Sequence, residues 1–192
     1  MLFCQSNAVV VAIGVALLVE VASARVDVRV ESDKTFDFKA MHTWAWNPQG
    51  PGEVKMARTP QDDPEAMRKR AEPIIVEAVT AEMGRRGLQP ATAVPDLLVT
   101  YYLLLTTNMS AQTLGQFLPA TTAWGLPPFA PATQSLKVMN SGSLVLDLSA
   151  PDAVVWRGVA QADIKFDADD KRREALLREA VRDLLHRYPP KR

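Results

Sequence analysis

Alternation of apolar and polar residues predicts most of the strands in this chain. The stretch RVDVRVE alternates strictly, with three valines on one side, and predicts a first strand at 25–31. The stretch FDFKAMHTWAWNP predicts a second, aromatic-rich strand at 42–46, which ends before Pro48. DLLVTYYLLL, which begins at Asp96, is apolar on both faces and therefore predicts a strand inside the sheet.

The most regular pattern lies at 141–164, SGSLVLDLSAPDAVVWRGVAQADI, and predicts a β-hairpin. The triplet Trp156-Arg157-Gly158 at its centre is either a chemical site or a part of the fold. Trp156 falls on the apolar face and is followed there by Gly158 and two alanines, which let a helix approach closely. We therefore expect the triplet to serve the fold, with Arg157 on the outer face in a surface ion pair with Asp147 or Asp163.

Two helices are predicted. Asp63 and Pro64 have the pattern of a helix start, but Pro73 would break or kink a helix that passed through it, so we place the first helix at 73–86. The second is predicted at 169–188, where leucine, valine and tyrosine form one stripe before a pair of prolines. We expect a loop at 47–62, which is rich in proline and glycine.

The order β-β-α-β-β-β-α predicts an α+β fold with a mostly antiparallel sheet and both helices on one face. Residues 108–142 form an insert without periodicity, longer than a passive connection needs. Its apolar side chains are candidates for an interaction site. A lid folded over the sheet is the alternative interpretation. The candidate residues are Phe117, Trp124, Leu126 and Phe129.

The N-terminus has the composition of an export signal. Residues 8–19 are an uncharged apolar run, shorter than the roughly 20 residues of a membrane span. Residues 22–24 (Ala-Ser-Ala) fit a signal peptidase site. We expect residues 1–24 to be a signal peptide and 25–192 to be a single domain in the periplasm or cell envelope. An uncleaved anchor, and an exposed tail or misplaced start, are the alternatives, because the first seven residues contain no lysine or arginine.

Composition narrows the possible chemistry. The chain has 22 Lys plus Arg and 22 Asp plus Glu, so it offers no strong field for nucleic acid. Cys4, the only cysteine, precedes the apolar run, so we expect no lipid anchor there and no thiol in the mature chain. His42 and His186 are too far apart in sequence to indicate a metal site. The acids at 167–170 are expected to cap a helix rather than bind a cation. We expect no cofactor.

The order and spacing of FDFKAMHTWAWNP, EMGRRGL, PDLLVTYY, GSLVLDLSAPDAVVWRGVA and RYPP resemble the bacterial envelope family called domain of unknown function 4136. The resemblance covers nearly the whole mature chain. It implies an exported protein without an established enzymatic activity, and it supplies no catalytic residues. Many members are lipoproteins, but this chain has no cysteine after its apolar run, so membrane association stays open.

These observations favour an exported, non-enzymatic interaction or structural module whose partner is an envelope protein. The alternative is a binder of a lipid or another apolar small molecule, with the 108–142 insert as its gate. A hydrolase that uses Asp and His groups is a third interpretation.

Overall fold

The computed structural model describes residues 26–56, 63–105, 112–113, 135–136, 141–150, 153–163 and 169–190. The strands in chain order are β1 (Asp27–Ser32), β2 (Thr43–Trp46), β3 (Gly52–Met56), β4 (Gln89–Pro90), β5 (Leu97–Leu105), β6 (Gln112–Thr113), β7 (Ser135–Leu136), β8 (Ser141–Ala150) and β9 (Ala153–Asp163). The helices are α1 (Pro64–Arg85) and α2 (Asp170–Leu185), and Phe38–Ala40 forms one 3-10 turn.

The main sheet has the order β1-β9-β8-β5-β2-β4, with β3 beside β5. The long ladders β1–β9, β8–β9 and β5–β8 are antiparallel, whereas β2 and β3 pair with β5 in parallel. Strand β5 has partners along both edges, which confirms the expectation that it lies inside the sheet. The α+β class, with a mostly antiparallel sheet, is also confirmed. The short β6–β7 ladder is separate.

Strand β3 corrects the prediction of a loop at 47–62. Beyond Val99, the edge of β5 is no longer covered by β2, and β3 pairs there from Tyr101 to Leu105. Gly52 is needed for this approach, because a Cβ at that position would lie within 2.3 Å of the Tyr101 carbonyl oxygen. Gly52 contributed to the prediction of a loop, but its role is to let two strands approach each other closely.

Helix α1 begins nine residues before the predicted start, at Pro64 instead of 73. Asp63 caps it by accepting hydrogen bonds from the backbone N–H groups of Glu65 and Ala66, each at 3.0 Å. Pro73 lies inside the helix, exposed to solvent. The prediction that the helix starts only at Pro73 is therefore wrong. A proline costs about 3 kcal/mol in a helix interior. The Asp63 cap and the packing of Met67 and Ala71 against the core favour the helical turns before Pro73.

Both helices pack on one face of the sheet, as predicted. Gly87, with φ of 81°, ends α1 in the left-handed conformation, and the Leu88 N–H donates to the Met83 carbonyl. The shared core combines both helices with the leucines of β5 and β8 and with Trp156. Trp44 and Trp156 are buried, and Trp46 packs against the same core.

The predicted hairpin is formed by β8 and β9, and its register places Leu148 opposite Trp156 and Leu146 opposite Gly158. Its turn, residues 151–152, lies outside the described residues. Helix α2 packs on the even-numbered face of β9. The triplet at 156–158 is therefore part of the fold, as expected.

Candidate binding site

The first strand leads into a turn that hydrogen bonds hold rigidly. The Asp33 N–H donates to the Val155 carbonyl at 2.8 Å, which ties the turn to β9. The Asp33 carboxylate accepts from the backbone N–H and the hydroxyl of Thr35, at 2.7 and 2.6 Å. These bonds lower the pKa of Asp33. Hydrogen bonds therefore connect this turn to β9 and to Thr35.

A row of aromatic rings runs from this turn to the end of α2. The Phe36 and Phe38 rings meet edge to face with centroids 4.9 Å apart, and Phe38 meets Tyr188 in the same way at 5.8 Å. Tyr188 continues to Trp156 at 6.1 Å. Edge-to-face pairs add about 0.5–1.5 kcal/mol each beyond their buried area. The row joins the two ends of the described chain.

An open groove of about 860 Å³ lies beside this row; we call it the terminal groove. Residues 32–34 and 36–39 form one wall, and Pro189 and Pro190 form the other. Phe36 and Phe38 contribute apolar surface, and two lysines and two aspartates contribute charge (Lys34, Lys39, Asp33 and Asp37). Small-molecule sites have volumes of about 300–1,000 Å³ and mostly apolar walls with a few polar groups. The terminal groove has both properties.

Two buried polar atoms in the aromatic row, Tyr188 Oη and Trp156 Nε1, have no hydrogen-bond partner among the described residues. Burial raises the pKa of Tyr188 to about 12. A buried hydroxyl without a partner costs about 1–3 kcal/mol. Both rings are retained in the core in spite of this cost, because their large apolar surfaces are buried there.

Asp147 and Arg157 form the ion pair that the sequence predicted, but the pair is not on the surface. They are directly opposed on β8 and β9, and Arg157 donates two hydrogen bonds to Asp147, at 2.5 and 2.6 Å. The side chains are only 2% and 1% exposed. Burial raises the pKa of the Asp147 carboxyl, and the hydrogen bonds and charge of Arg157 oppose that rise.

The prediction of a surface pair is wrong, because both side chains are buried on the face of the sheet opposite the helices. The pair lies beside a second apolar cluster formed by Leu104 and Val145, with Tyr102 and Val159 packed against it. A surface pair contributes about 0–1 kcal/mol, whereas losing one partner of a buried pair costs about 3–5 kcal/mol.

Asp96 is a structural carboxylate that sequence reasoning did not identify. Its Oδ2 accepts from the backbone N–H groups of His42 and Thr43, at 2.9 and 2.8 Å, and from the Thr43 hydroxyl at 2.9 Å. These donors lower the pKa of Asp96. The carboxylate therefore fastens the start of β2 to the start of β5. Its position just before an apolar strand was the available signal.

The structure describes some of the candidate residues that the sequence predicted, but not those of the 108–142 insert. Phe117, Trp124, Leu126 and Phe129 lie outside the described residues. His42 and His186 are exposed and belong to different parts of the fold, before β2 and at the end of α2. Asp169 caps α2 by accepting from the Arg172 N–H at 2.7 Å, as predicted for the acidic cluster.

The described part of the chain has neither a cluster of metal ligands nor a membrane-spanning helix. Those residues contain no group of three or more potential metal ligands. None of the helices in these ranges has the length and hydropathy needed to cross a bilayer. The terminal groove is not predictable from local sequence patterns, because segments far apart in the chain form it.

The fold is that of an α+β protein with two helices on one face of a mixed sheet, and an open groove lies between residues 32–39 and the two prolines after α2. The chain belongs to the family described as "Domain of unknown function (DUF4136)", whose model matches residues 28–190. This confirms the resemblance drawn from the sequence. No curated protein gives a significant match to the chain.

Several solved structures are similar to the chain at low sequence identity. A PDZ domain protein from Parabacteroides distasonis ATCC 8503 is 14% identical with a TM-score of 0.50, covering 88% of this chain. The chain spans only 38% of that protein. A DUF4136 family protein from Bacteroides thetaiotaomicron VPI-5482 is 16% identical with a TM-score of 0.48, covering 85% of this chain and 96% of the other. A PelC dodecamer from Paraburkholderia phytofirmans is 12% identical with a TM-score of 0.40, covering 83% and 96%.

Proposed function

We propose that the protein is an exported, non-enzymatic interaction module of the bacterial cell envelope. Export is supported by the apolar run at 8–19 and by the small residues at 22–24. Some of the ionised side chains have structural roles, which supports a non-enzymatic function. Asp96 connects β2 to β5, and the Asp147–Arg157 pair connects β8 to β9. In this proposal the domain binds a partner and leaves covalent bonds unchanged.

The connection between β5 and β8 is the observation that carries the proposal. Leu105 at the end of β5 lies opposite Gly142 near the start of β8, so the two strands are direct antiparallel neighbours. A hairpin needs a loop of only about 2–5 residues, whereas this chain uses residues 106–140. Most of that segment is therefore not needed to join the strands. Long segments of this kind are usually functional.

In the proposal, the partner contacts the apolar residues of this segment. Alanine at Trp124, Leu126 and Phe129 together should leave the far-ultraviolet circular dichroism spectrum and the melting temperature unchanged. It should abolish recovery of the envelope partner by cross-linking in cells. Val94→Ala is the matched control, since Val94 is an apolar residue that is 91% exposed on another loop. Unchanged recovery with the triple variant would contradict the proposed contact.

The terminal groove favours a second candidate function, binding of a lipid or another apolar small molecule. Its volume and its phenylalanine and proline walls support this function. Native mass spectrometry of protein purified from the envelope should then show a retained ligand. Phe36→Ala should release the ligand, because Phe36 is half-buried in the groove wall. A ligand-free mass for the wild-type protein would favour the interaction module instead.

A further inference from the structure

Strand β1 is an edge of the main sheet, with β9 on one side and no described strand on the other. Its outward backbone groups can be assigned from the ladder. Asp33 donates to Val155, so these two residues form a hydrogen-bonded pair in the β1–β9 register. Because hydrogen-bonded and non-hydrogen-bonded pairs alternate in an antiparallel ladder, the N–H and C=O groups of Val28 and Val30 point away from β9. They are available to another strand.

The charges of β1 alternate with its valines. Asp27 and Arg29 lie on the face away from the helices, with side chains 64% and 73% exposed, and they form an ion pair at 3.5 Å. Val28 and Val30 lie on the helix side and pack against the core. Alternating charges on an edge strand often protect it from pairing. In β1, however, the order of the charges is compatible with antiparallel pairing to an identical strand.

We propose that β1 pairs antiparallel with β1 of a second copy of this chain, centred on Val28. In that register Asp27 lies opposite Arg29 of the second copy, and Arg29 lies opposite its Asp27. Both pairs are attractive, and they fall at non-hydrogen-bonded positions, where side chains approach most closely. Val28 faces its own counterpart, and its outward N–H and C=O groups form the central pair of hydrogen bonds. The result is a two-fold dimer with one continuous sheet.

The charges select this register over its neighbours. A shift of two residues in one direction places Asp27 opposite its own copy, and a shift in the other direction places Arg29 opposite its own copy. Like charges directly opposite each other destabilise a strand pair. A shift by one residue would turn the valines to the wrong face. A shift of four residues, centred on Val30, places Arg29 opposite Glu31 of the second copy but also places Asp27 opposite its Asp33. The register centred on Val28 therefore has attractive pairs without these repulsive ones.

The helix side of the sheet leaves room for the second strand. An open groove of about 470 Å³ lies between the edge of β1 and the end of α2, lined by Val26, Asp27, Val28, Asp183, His186 and Arg187. Residues directly opposed in an antiparallel pair point to the same side of the sheet. The valines of the second copy would therefore enter this groove and cover the half-buried valines of β1.

Sedimentation equilibrium of the purified full chain tests the proposal, and the wild-type protein should be a dimer in reversible equilibrium. Asp27→Arg and Arg29→Asp should each raise the dimer dissociation constant about tenfold or more, because two attractive pairs become repulsive. The double variant restores opposite charges and should return the constant to the wild-type range. An equimolar mixture of the two single variants should form a heterodimer.

Arg68→Asp is the matched control, since Arg68 is a partly exposed arginine on α1 that pairs with Glu65 in its own element. It changes the net charge by the same amount and should leave association unchanged. A wild-type protein that stays monomeric, single variants that associate normally, or a double variant that does not recover would each overturn the proposal. Dissociation caused by Arg68→Asp would do so too, because it would assign the effect to net charge.

Discussion

Gly158 of β9 lies directly beneath Leu184 of α2: a Cβ built at residue 158 would be 2.8 Å from Leu184 Cδ2 and 2.5 Å from the Trp156 ring. Both Trp156 and Leu184 are fully buried and have little room to move. The absence of a side chain at 158 therefore determines how closely α2 approaches the sheet.

Gly158→Val should destabilise the protein, because the added side chain must displace Leu184 or the Trp156 ring. Overpacking of this kind costs about 1–3 kcal/mol, measured as the change in the free energy of unfolding in urea. Gly84→Ala is the matched control, since a Cβ at 84 on α1 meets nothing within 4 Å. That change should stabilise the helix by roughly 0.5–1 kcal/mol. Equal effects at both positions would contradict the close contact.

The buried pair between Asp147 and Arg157 predicts strong coupling between these two residues. Asp147→Ala leaves a buried guanidinium without its main partner and should cost about 3–5 kcal/mol of unfolding free energy. Asp147→Leu combined with Arg157→Met replaces both charges with apolar groups and should recover most of that loss. A urea-unfolding double-mutant cycle measures the coupling. Additive effects of the single substitutions would show that the pair does not act as a unit.

Two tyrosines in the core should respond differently to loss of the hydroxyl. The Tyr101 hydroxyl donates to Glu72 at 2.8 Å, so Tyr101→Phe should destabilise the protein by about 1–2 kcal/mol. The Tyr188 hydroxyl has no partner among the described residues, so Tyr188→Phe should be neutral or stabilising. Thermal and urea unfolding of both variants provide the comparison. A clear destabilisation by Tyr188→Phe would reveal a partner for that hydroxyl.

The raised pKa of Tyr188 gives a separate optical prediction. In the wild-type protein one tyrosine should ionise with a pKa of about 12, as followed by absorbance at 295 nm. The transition should disappear in Tyr188→Phe. Persistence of the same transition in that variant would assign it to another tyrosine.

Features fixed by short-range patterns were predictable from the sequence. Strict alternation identified β1 and the β8–β9 hairpin, and the helical stripe before two prolines identified α2. The close approach of α2 at Gly158 was predicted because Gly158 and two alanines follow Trp156 on the same face of the strand. In each case the deciding residues lie within a few positions of each other.

Features that depend on contacts between distant segments were not predictable. Strand β3 resembles a loop in isolation, and only its pairing with β5 explains why Gly52 is needed. Helix α1 continues through Pro73 because tertiary burial outweighs a local breaker. The sequence identified Arg157 and Asp147 as partners, but it did not predict that both side chains are buried. The terminal groove joins the two ends of the described chain.

Asp96 should make part of the stability depend on pH. Its pKa is lowered in the folded state by the N–H groups of His42 and Thr43, so the carboxylate stabilises the fold above its unfolded-state pKa, about 3.9. That contribution is lost as the pH falls through the lower folded-state pKa. Asp96→Asn should therefore be less stable than the wild type at pH 7, and the difference should shrink below about pH 4, as measured by urea unfolding at several pH values. A difference that stays constant down to pH 2 would show that the charge of Asp96 does not fasten β2 to β5.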